Sequence, residues 1–269
     1  MSKDFQVVML ASGSKGNAAL ISTDSQRFLV DIGVSCRELV KRMREAGAAP
    51  EQLDGVFITH EHIDHVKGLA TFAKKYRTPL YASEGTWRSL FAKYPSLNDD
   101  NCRLTGASML CGDVRIDSFA ISHDAAEPQG YSFTWRGGDC KCTYVTDTGC
   151  VTPTVREAIC GSDVLILEAN HDIEMLKTGS YPYDLKQRIL GMRGHLANVT
   201  AAQLLLHLPR LPRHVFLAHL SEQNNRPQLA LSTVQNILDS KKRLQETQLF
   251  VAAQNSIVSD FPLQQLCIF

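Results

Sequence analysis

One seven-residue segment constrains this chain more than any other feature, because residues 59–65 contain three histidines and an aspartate in the pattern HxHxDH. The four side chains are His60, His62, Asp64 and His65. Imidazole nitrogen and carboxylate oxygen are donors that zinc and related divalent cations take in proteins. An extended chain points alternate side chains the same way, so we expect the first three to share a side. The pattern predicts a site for two metal ions.

The sequence around the motif predicts a turn between a strand and a helix. Residues 55–59 are β-branched and aromatic, and residues 66–76 carry apolar residues at helical spacing. Such a turn lets His60 and His62 hold one ion while Asp64 and His65, rotated as the helix starts, reach a second. Asp64 has an alternative interpretation as the cap of that helix, and exposed histidine clusters can be accidental.

Length and charge limit the class of protein. The chain has 269 residues, enough to bury a large core, and no linker or internal repeat divides it, so we predict one domain over residues 1–269. Its 28 basic and 28 acidic side chains cancel, which excludes the basic excess of a dedicated nucleic-acid coat protein. Two basic clusters could line a local nucleic-acid groove, although each is also typical of a solvated helix face. They comprise Lys67, Lys74, Lys75 and Arg77, and then Lys186, Arg188 and Arg193.

The chain shows no sign of a membrane segment. No stretch approaches the roughly 18 to 20 apolar residues that a membrane helix requires, and the first residues lack an apolar signal region. We therefore expect a cytoplasmic protein without membrane contact.

Short strands and helices alternate in both halves of the chain, with a strand-rich middle. The predicted strands cover residues 6–11, 18–22, 27–31, 55–59, 80–82, 109–111, 114–120, 130–135, 142–146, 164–168 and 215–218. The predicted helices cover residues 36–46, 66–76, 153–160, 185–190, 199–208 and 228–238. This order predicts an α/β fold, a four-layer αββα sandwich of two packed mixed sheets with helices outside. Its site would lie at the strand ends beside the histidine turn.

One turn cannot supply every donor for two ions, and three later residues stand where further donors are needed. His123, Asp147 and His219 each follow a predicted strand. Taken alone, each is more typical of an ordinary loop histidine or a turn-forming aspartate. Together with HxHxDH, they favour a metal site with seven donors.

In this order, the motifs resemble those of the metallo-β-lactamase-fold superfamily: HxHxDH, a later histidine, an aspartate after a strand and a final histidine. The similarity spans nearly the whole chain, and it is greatest to the bacterial YycJ/WalJ-type branch. Four segments carry the branch resemblance: Leu10–Asn17, Leu167–Asp172, Gly194–Asn198 and His219–Asn225.

The resemblance implies a role for each donor. His60, His62 and His123 would hold the first ion, Asp64, His65 and His219 the second, and Asp147 would bridge the two. Zinc, manganese and iron all suit such ligands, so the identity of the metal stays open. The family usually has serine where this chain has Ala197, which leaves the donors intact but removes a hydroxyl that could help to position substrate.

The expected chemistry is hydrolysis of a phosphodiester. Two divalent cations about 3.5 to 4 Å apart generate hydroxide near neutral pH and clamp the oxygens of a displacement at phosphorus. We expect a metal-bridging hydroxide to attack while Asp64 orients or receives the water proton. By resemblance to phosphodiesterases of the superfamily, His195 would protonate the leaving oxygen, and Glu168 would orient His195 and raise its pKa. Alternatively, His195 only caps the helix that begins near residue 198, and Glu168 pairs with a surface base.

Five polar residues are predicted to contact substrate: Ser12, Ser14, Asn17, Asn198 and Asn225. The first three lie in a loop of small residues that could present backbone amides to a phosphate, or could be only a tight hairpin connection. His171 either lines the site or bonds to backbone in its own loop, and it is not assigned as a ligand.

These features favour a dinuclear metal-dependent phosphodiesterase, and the branch resemblance narrows it to a 5′-to-3′ exonuclease with nucleic acid, expected to be DNA, as substrate. The neutral charge keeps a hydrolase of small cyclic or linear phosphodiesters open. Hydrolysis of β-lactams or thioesters is less favoured, because no acyl-binding pocket can be read from the sequence. Outside enzymes, the alternative is a metal-stabilised interaction or regulatory module, which has little need for seven donors.

Overall fold

The computed structural model describes residues 5–97, 100–244 and 246–260. Its strands, in chain order, are β1 (Phe5–Ala11), β2 (Ala18–Thr23), β3 (Arg27–Val30), β4 (Gly55–Phe57), β5 (Leu80–Ala82), β6 (Cys102–Leu104), β7 (Ser108–Cys111), β8 (Val114–Ala120), β9 (Gln129–Trp135), β10 (Cys140–Val145), β11 (Val164–Glu168), β12 (His214–Ala218), β13 (Gln248–Val251) and β14 (Val258–Ser259). They form two sheets of seven strands, ordered β14-β1-β2-β3-β4-β5-β6 and β13-β12-β11-β10-β9-β8-β7.

The helices of the described residues are α1 (Cys36–Glu45), α2 (Ile63–Val66), α3 (Leu69–Lys75), α4 (Glu84–Lys93), α5 (Pro153–Ile159), α6 (Ile173–Thr178), α7 (Tyr183–Leu190), α8 (Asn198–Leu206) and α9 (Pro227–Asp239), with a short 3₁₀ turn at Pro50–Gln52. Local sequence explains several of their starts. The side chains of Ser35, Ser83, Thr152 and Asp172 each accept a hydrogen bond from the first turn of the helix that follows. None of these helices is both long and apolar enough to cross a bilayer.

Three apolar clusters hold four layers together. One lies between the first sheet and the helices α1, α3 and α4, and includes Leu39, Phe72 and Trp87. A second fills the space between the two sheets, where Phe28, Phe57 and Phe133 pack ring against ring, each pair of ring centroids 5.4 to 6.0 Å apart. The third lies between the second sheet and the helices α5, α8 and α9. The predicted αββα sandwich with mixed sheets is therefore confirmed.

Strand direction brings one edge of both sheets to the same place. Strands β3 to β6 run parallel to one another, and so do β10 to β13. Strand β8 runs in the same direction as β10, because both pair antiparallel with β9. The carboxyl ends of β4, β8, β10, β11 and β12 consequently leave their sheets on the side where the predicted donors lie.

The helix predicted over residues 66–76 is broken in the structure. Helical structure begins earlier, with the single turn α2, which ends at Val66, and a new helix, α3, starts after Gly68. In a continuous helix, the Gly68 N–H would donate to the Asp64 carbonyl. Here the Gly68 N–H donates to the Ile32 carbonyl at 2.9 Å, and the Asp64 carbonyl accepts from the Asn17 N–H at 2.8 Å. Tertiary hydrogen bonds to neighbouring loops therefore replace the helical one.

Several described elements have no counterpart in the sequence prediction, namely α4, α6, β6, β13 and β14. The three strands are short and lie at sheet edges, each paired with one neighbour. These three strands have only two to four residues each, too few to show a clear alternation without their partners.

Candidate metal centre and cleft

The donors predicted from the sequence meet where the strands of both sheets end. Strand β4 leads to the HxHxDH turn, β8 to His123, β10 to Asp147 and β12 to His219. Two groups have ligand atoms within 4.8 Å of one another: His60, His62 and His123, and then Asp64, His65 and His219. A third group of the same kind, His60, His65 and Asp147, adds the seventh donor. The structure thus brings together all seven predicted donors.

The first group is a set of three imidazoles. The Nε2 atom of His123 lies 3.3 Å from Nδ1 of His62, and the His60 and His62 rings have centroids 4.6 Å apart. Nε2 of His60 is buried and has no hydrogen-bond partner within the described residues. Burial lowers the pKa of His60 well below its ordinary value and also lowers the pKa of His123. Both are therefore neutral, which is the form of imidazole that binds a cation.

The second group contains the carboxylates. Asp64 Oδ2 lies 3.2 Å from His219 Nε2 and 3.6 Å from His65 Nε2. Asp147 lies between the groups, with one oxygen 3.2 Å from His65 Nε2 and the other 3.4 Å from His219 Nε2 and 3.8 Å from His123 Nε2. A residue in this position can reach cations held by either group.

The electrostatics of this cluster suit positive charge. Burial disfavours the charged form of His219, but the carboxylates of Asp147, Asp64 and Glu168 outweigh it and raise the pKa of His219 to about 10. Burial also opposes ionisation of Asp147, yet its histidine neighbours hold the pKa of Asp147 well below its usual range. Ionised carboxylates with an unpartnered imidazole nitrogen beside them fit divalent cations.

Asp31 is a part of this site that the sequence analysis missed. It is fully buried at the end of β3 and accepts a hydrogen bond from His65 Nδ1 at 2.7 Å. It also accepts from the Thr59 N–H at 2.8 Å and from the Thr59 hydroxyl at 2.9 Å. This carboxylate orients the His65 ring so that Nε2 faces the donors. The available signal was an aspartate directly after an apolar strand, the same signal that marked Asp147.

Three of these residues have unusual backbone conformations. Asp31, Asp147 and His219 have φ values of 63°, 57° and 56°. This left-handed region is unfavourable for residues with a side chain, and it occurs at functional sites that the surrounding structure enforces. Each lies one or two residues after a strand, so the turn of the backbone aims the side chain into the cluster.

His195 and Glu168 form a pair beside the donors. His195 Nδ1 lies 2.7 Å from Glu168 Oε1, and the other Glu168 oxygen accepts from the backbone N–H groups of Thr148 and Leu196, both at 3.0 Å. Burial lowers the pKa of His195, but Glu168 and Asp147 raise it above the ordinary value overall. Burial opposes ionisation of Glu168, yet His195 and His219 lower its pKa to about 2. The structure does not use His195 as a helix cap, because α8 is preceded by Ala197.

The residues predicted to contact substrate have different surroundings. Ser14 lines the cleft. The buried Ser12 hydroxyl accepts from the His219 N–H at 2.7 Å. The buried Asn17 side chain bonds to Gly13 within the β1–β2 hairpin and donates to the Asp64 carbonyl of the HxHxDH turn. These groups hold the loops that carry donors.

Asn198 and Asn225 are also buried, and their amide groups exchange hydrogen bonds of 3.0 and 2.9 Å. The Asn225 amide additionally donates to the carbonyls of Ala169 and Asn170. Both side chains are used inside the protein and lie outside the cleft lining, which differs from the substrate contact predicted for them.

His171 is buried against the segment that precedes α8. It forms an isolated bridge with Ala197, and its carbonyl accepts from the Asn198 N–H at 2.9 Å. Neither ring nitrogen has a partner within the described residues, and burial lowers the pKa of His171 to about 4. Within the described residues the ring neither lines the cleft nor bonds to backbone in its own loop, so neither interpretation of this residue is confirmed.

A cleft of about 210 Å³ opens over the donors. One side is formed by donor side chains together with His195. The opposite side is formed by Tyr181, Leu185, Arg188 and Ile189, from α7 and the residues before it.

The sequence of the chain has clear relatives. Residues 26–220 match the β-lactamase superfamily domain. Exodeoxyribonuclease YycJ of Bacillus anthracis is 38% identical over 236 residues, which cover 87% of this chain and 89% of that protein. Exodeoxyribonuclease WalJ of Streptococcus pneumoniae is 39% identical over 239 residues, covering 87% of this chain and 88% of that protein. The chain belongs to the YycJ/WalJ branch of the metallo-β-lactamase superfamily.

Solved structures of this superfamily superpose along almost the whole YycJ/WalJ-type chain. YhfI of Bacillus subtilis, a metallo-β-lactamase fold protein, aligns with a TM-score of 0.71 at 15% identity, covering 96% of this chain and 100% of that one. The short form of human tRNase Z aligns with a TM-score of 0.63 at 16% identity, covering 96% and 100%. At such low identity, these alignments show the shared fold.

Proposed function

We propose that this YycJ/WalJ-type protein is a dinuclear metal-dependent nuclease that digests DNA from its 5′ end, with Zn²⁺ or Mn²⁺ as its two cations. The broader prediction, an enzyme that hydrolyses phosphodiester bonds, is confirmed by the family and by relatives that are exodeoxyribonucleases. The DNA substrate, the polarity, the number of cations and their identity are our inference for this chain.

The observation that carries the proposal is the arrangement of His195 beside seven converging donors. His60, His62 and His123 would hold one cation, Asp64, His65 and His219 the other, and Asp147 would contact both. When bound, two such cations lower the pKa of water and neutralise the oxygens of a phosphodiester.

Two side chains of the cleft are placed to move protons. Asp64 is partly exposed there, so its carboxylate can accept a proton from the attacking water. His195 has Nδ1 occupied by Glu168, which leaves Nε2 for the substrate. Because Glu168 favours the imidazolium form, His195 can donate a proton from Nε2 to the leaving oxygen.

A digest of end-labelled nucleic acids tests the proposal. Protein loaded separately with Mn²⁺ and with Zn²⁺ is incubated with single-stranded DNA and RNA labelled at the 5′ or the 3′ end. We expect the 5′ label to be released first, as a mononucleotide or short product, while the 3′-labelled DNA shortens progressively. Early release of the 3′ label would show that digestion runs from the 3′ end. Faster digestion of RNA would show that RNA, and not DNA, is the preferred substrate.

The compact cleft and the absence of net charge favour a second candidate, a hydrolase of small phosphodiesters. Salt dependence separates the two. Contacts to several phosphates of a polymer make affinity fall steeply with salt, whereas a small diester loses little. If metal-loaded protein hydrolysed neither DNA, RNA nor small diesters, a metal-stabilised interaction module would become the better explanation.

A further inference from the structure

Helix α7 forms the side of the cleft that faces the donors, and its role is not explained by the chemistry above. Leu185, Arg188 and Ile189 are spaced i, i+3 and i+4, so they share one helix face, and all three line the cleft. Tyr181, just before the helix, lines it too. We call these four residues the α7 wall.

We propose that the α7 wall binds the nucleotide next to the scissile phosphate, with Arg188 on a neighbouring backbone phosphate and Tyr181, Leu185 and Ile189 against the base. This inference rests on the proposed nuclease function and adds to it a recognition site for a polymer. A substrate reduced to one bare phosphodiester would leave the wall empty.

The charge of the wall is right for a phosphate. Arg188 is the only lysine or arginine among the described residues that line the cleft. Its Nε atom pairs with Asp124, and Asp124 lies 3.4 Å from Nε2 of the donor His123. The guanidinium is therefore separated from the donor cluster by one carboxylate, which is a suitable place for the phosphate adjacent to the one being cleaved.

The geometry of Arg188 also leaves it able to bind. Its side chain is 61% exposed, and within the described residues its two terminal Nη groups have no hydrogen-bond partner. A guanidinium held through Nε presents these groups as a fork that matches two phosphate oxygens. The contact to Asp124 orients the fork without occupying it.

The rest of the wall is apolar and aromatic. Bases of any sequence can stack on an aromatic side chain or pack on aliphatic ones, which suits an enzyme that must advance along a strand. The other face of α7 provides a contrast, because Tyr183 lies there, 72% exposed and outside the cleft lining. The two tyrosines near the start of α7 therefore form a matched pair for an experiment.

The test compares a short single-stranded DNA with methyl p-nitrophenyl phosphate, which has one phosphate, no base and no aromatic ring apart from its leaving group. For each variant, we measure metal content and the ratio of kcat/KM for DNA to kcat/KM for the small diester. We expect Arg188→Ala and Tyr181→Ala to lower this ratio roughly tenfold each. Tyr183→Ala and Arg88→Ala should keep the wild-type ratio, since Arg88 is an exposed arginine paired with Glu84 away from the cleft.

The outcomes separate this inference from the function on which it rests. If wild-type protein degrades DNA but the ratio is unchanged in Arg188→Ala and Tyr181→Ala, the α7 wall does not bind the strand. An equal loss on both substrates, or a loss of metal, would mean that Arg188 acts only through Asp124 and His123. If wild-type protein hydrolyses the small diester and leaves DNA intact, the nuclease proposal itself fails, and the wall loses its ligand with it.

Discussion

The side of the cleft that carries the donors is buried and tied together by hydrogen bonds, whereas the α7 wall rests on the surface. His60 and His65 are fully buried, and His65 is fixed by Asp31, which is itself held by Thr59. Helix α7, in contrast, has no buried residue. Metal chemistry needs donors fixed to a fraction of an ångström, while a strand of variable sequence is better served by a surface that can adjust. The two sides are built for these different demands.

The largest effect is expected from loss of the donor shared by both groups. Asp147→Asn removes a charge that contacts both candidate cation positions, so we expect activity to fall roughly 10⁴-fold, since bound cations contribute several kcal/mol to the barrier. Hydrolysis assays with metal analysis check this. Chelation of wild-type protein should cause a comparable loss that added Mn²⁺ or Zn²⁺ reverses. Full activity in the variant would show that Asp147 is not needed to hold metal.

His195→Ala tests the proton donor between the two sides. We expect turnover to fall roughly 10³-fold at unchanged metal content, within the range of about 10²- to 10⁴-fold for general acid catalysis. The exposed His207, bonded to the Gln203 carbonyl, is the control, and His207→Ala should be active. Turnover of the His195 variant near the wild-type rate would remove this residue from the mechanism.

The protonation of His195 also predicts a pH dependence. Its pKa is raised overall, so the imidazolium donor is present at and above the ordinary titration range of histidine and is lost as pH rises through the raised pKa. A plot of kcat against pH should therefore fall on the basic side in wild-type protein. In His195→Ala that basic limb should be absent, and its persistence there would assign it to another group.

Asp31→Asn tests whether metal binding depends on the rigidity of the donor side. The variant loses the carboxylate that orients His65, so we expect metal affinity to fall roughly 10- to 100-fold, as is typical for residues that support a ligand. Competition with a chelator measures this. Asp117→Asn, at an exposed ion pair with Arg115, should retain wild-type affinity. Equal affinities in both variants would mean that the donor side tolerates movement of His65.

The smallest effect concerns Ala197, at the position where the sequence resemblance leads us to expect serine. Ala197 is the residue before α8, and no side chain caps that helix. A hydroxyl there can accept from the first turn, so Ala197→Ser should stabilise the protein by about 1 kcal/mol. Thermal unfolding should show a rise of about 2 to 4 °C, and Ala197→Val, which adds bulk without a hydroxyl, should not. A lower melting temperature for the serine variant would show that the position has no room for the cap.

Much of the fold could be predicted because its core strands are strongly patterned. The bounds predicted for β8 (Val114–Ala120) and β11 (Val164–Glu168) are those of the structure, because β8 begins with alternating apolar and polar residues and β11 begins with four apolar residues in a row. Of the edge strands, only β7 was predicted; β6, β13 and β14 were not, because pairing with a neighbour and not composition defines them. The break before α3 was equally hidden, since it depends on hydrogen bonds to Ile32 and Asn17, which are distant in sequence.

The candidate site likewise has residues that could be predicted from the sequence and residues that could not. The seven donors were recognisable because each is a histidine or aspartate within three residues of a strand end or in one dense motif. Asp31 had the same local signal and was overlooked for want of a partner in sequence. Asn198 and Asn225 lie in segments that carry the family resemblance, but they do not line the cleft, because their amides bond to each other. Burial decides whether a polar residue supports the site from within or contacts substrate, and burial is a property of the folded chain.

The sequence alone was sufficient to predict metal-dependent chemistry. Imidazole and carboxylate donors have intrinsic metal affinity, and their spacing can be read directly from the sequence. Which groups face one another was decided only by packing of the two sheets, which brings the ends of β4, β8, β10 and β12 to one edge. The same packing set Glu168 against His195, as the resemblance implied, and brought Arg188 to the cleft, which the sequence could not single out from the other basic residues of its cluster. Contacts between residues far apart in the chain form only when the sheets pack together, and no local sequence pattern encodes how close such residues come.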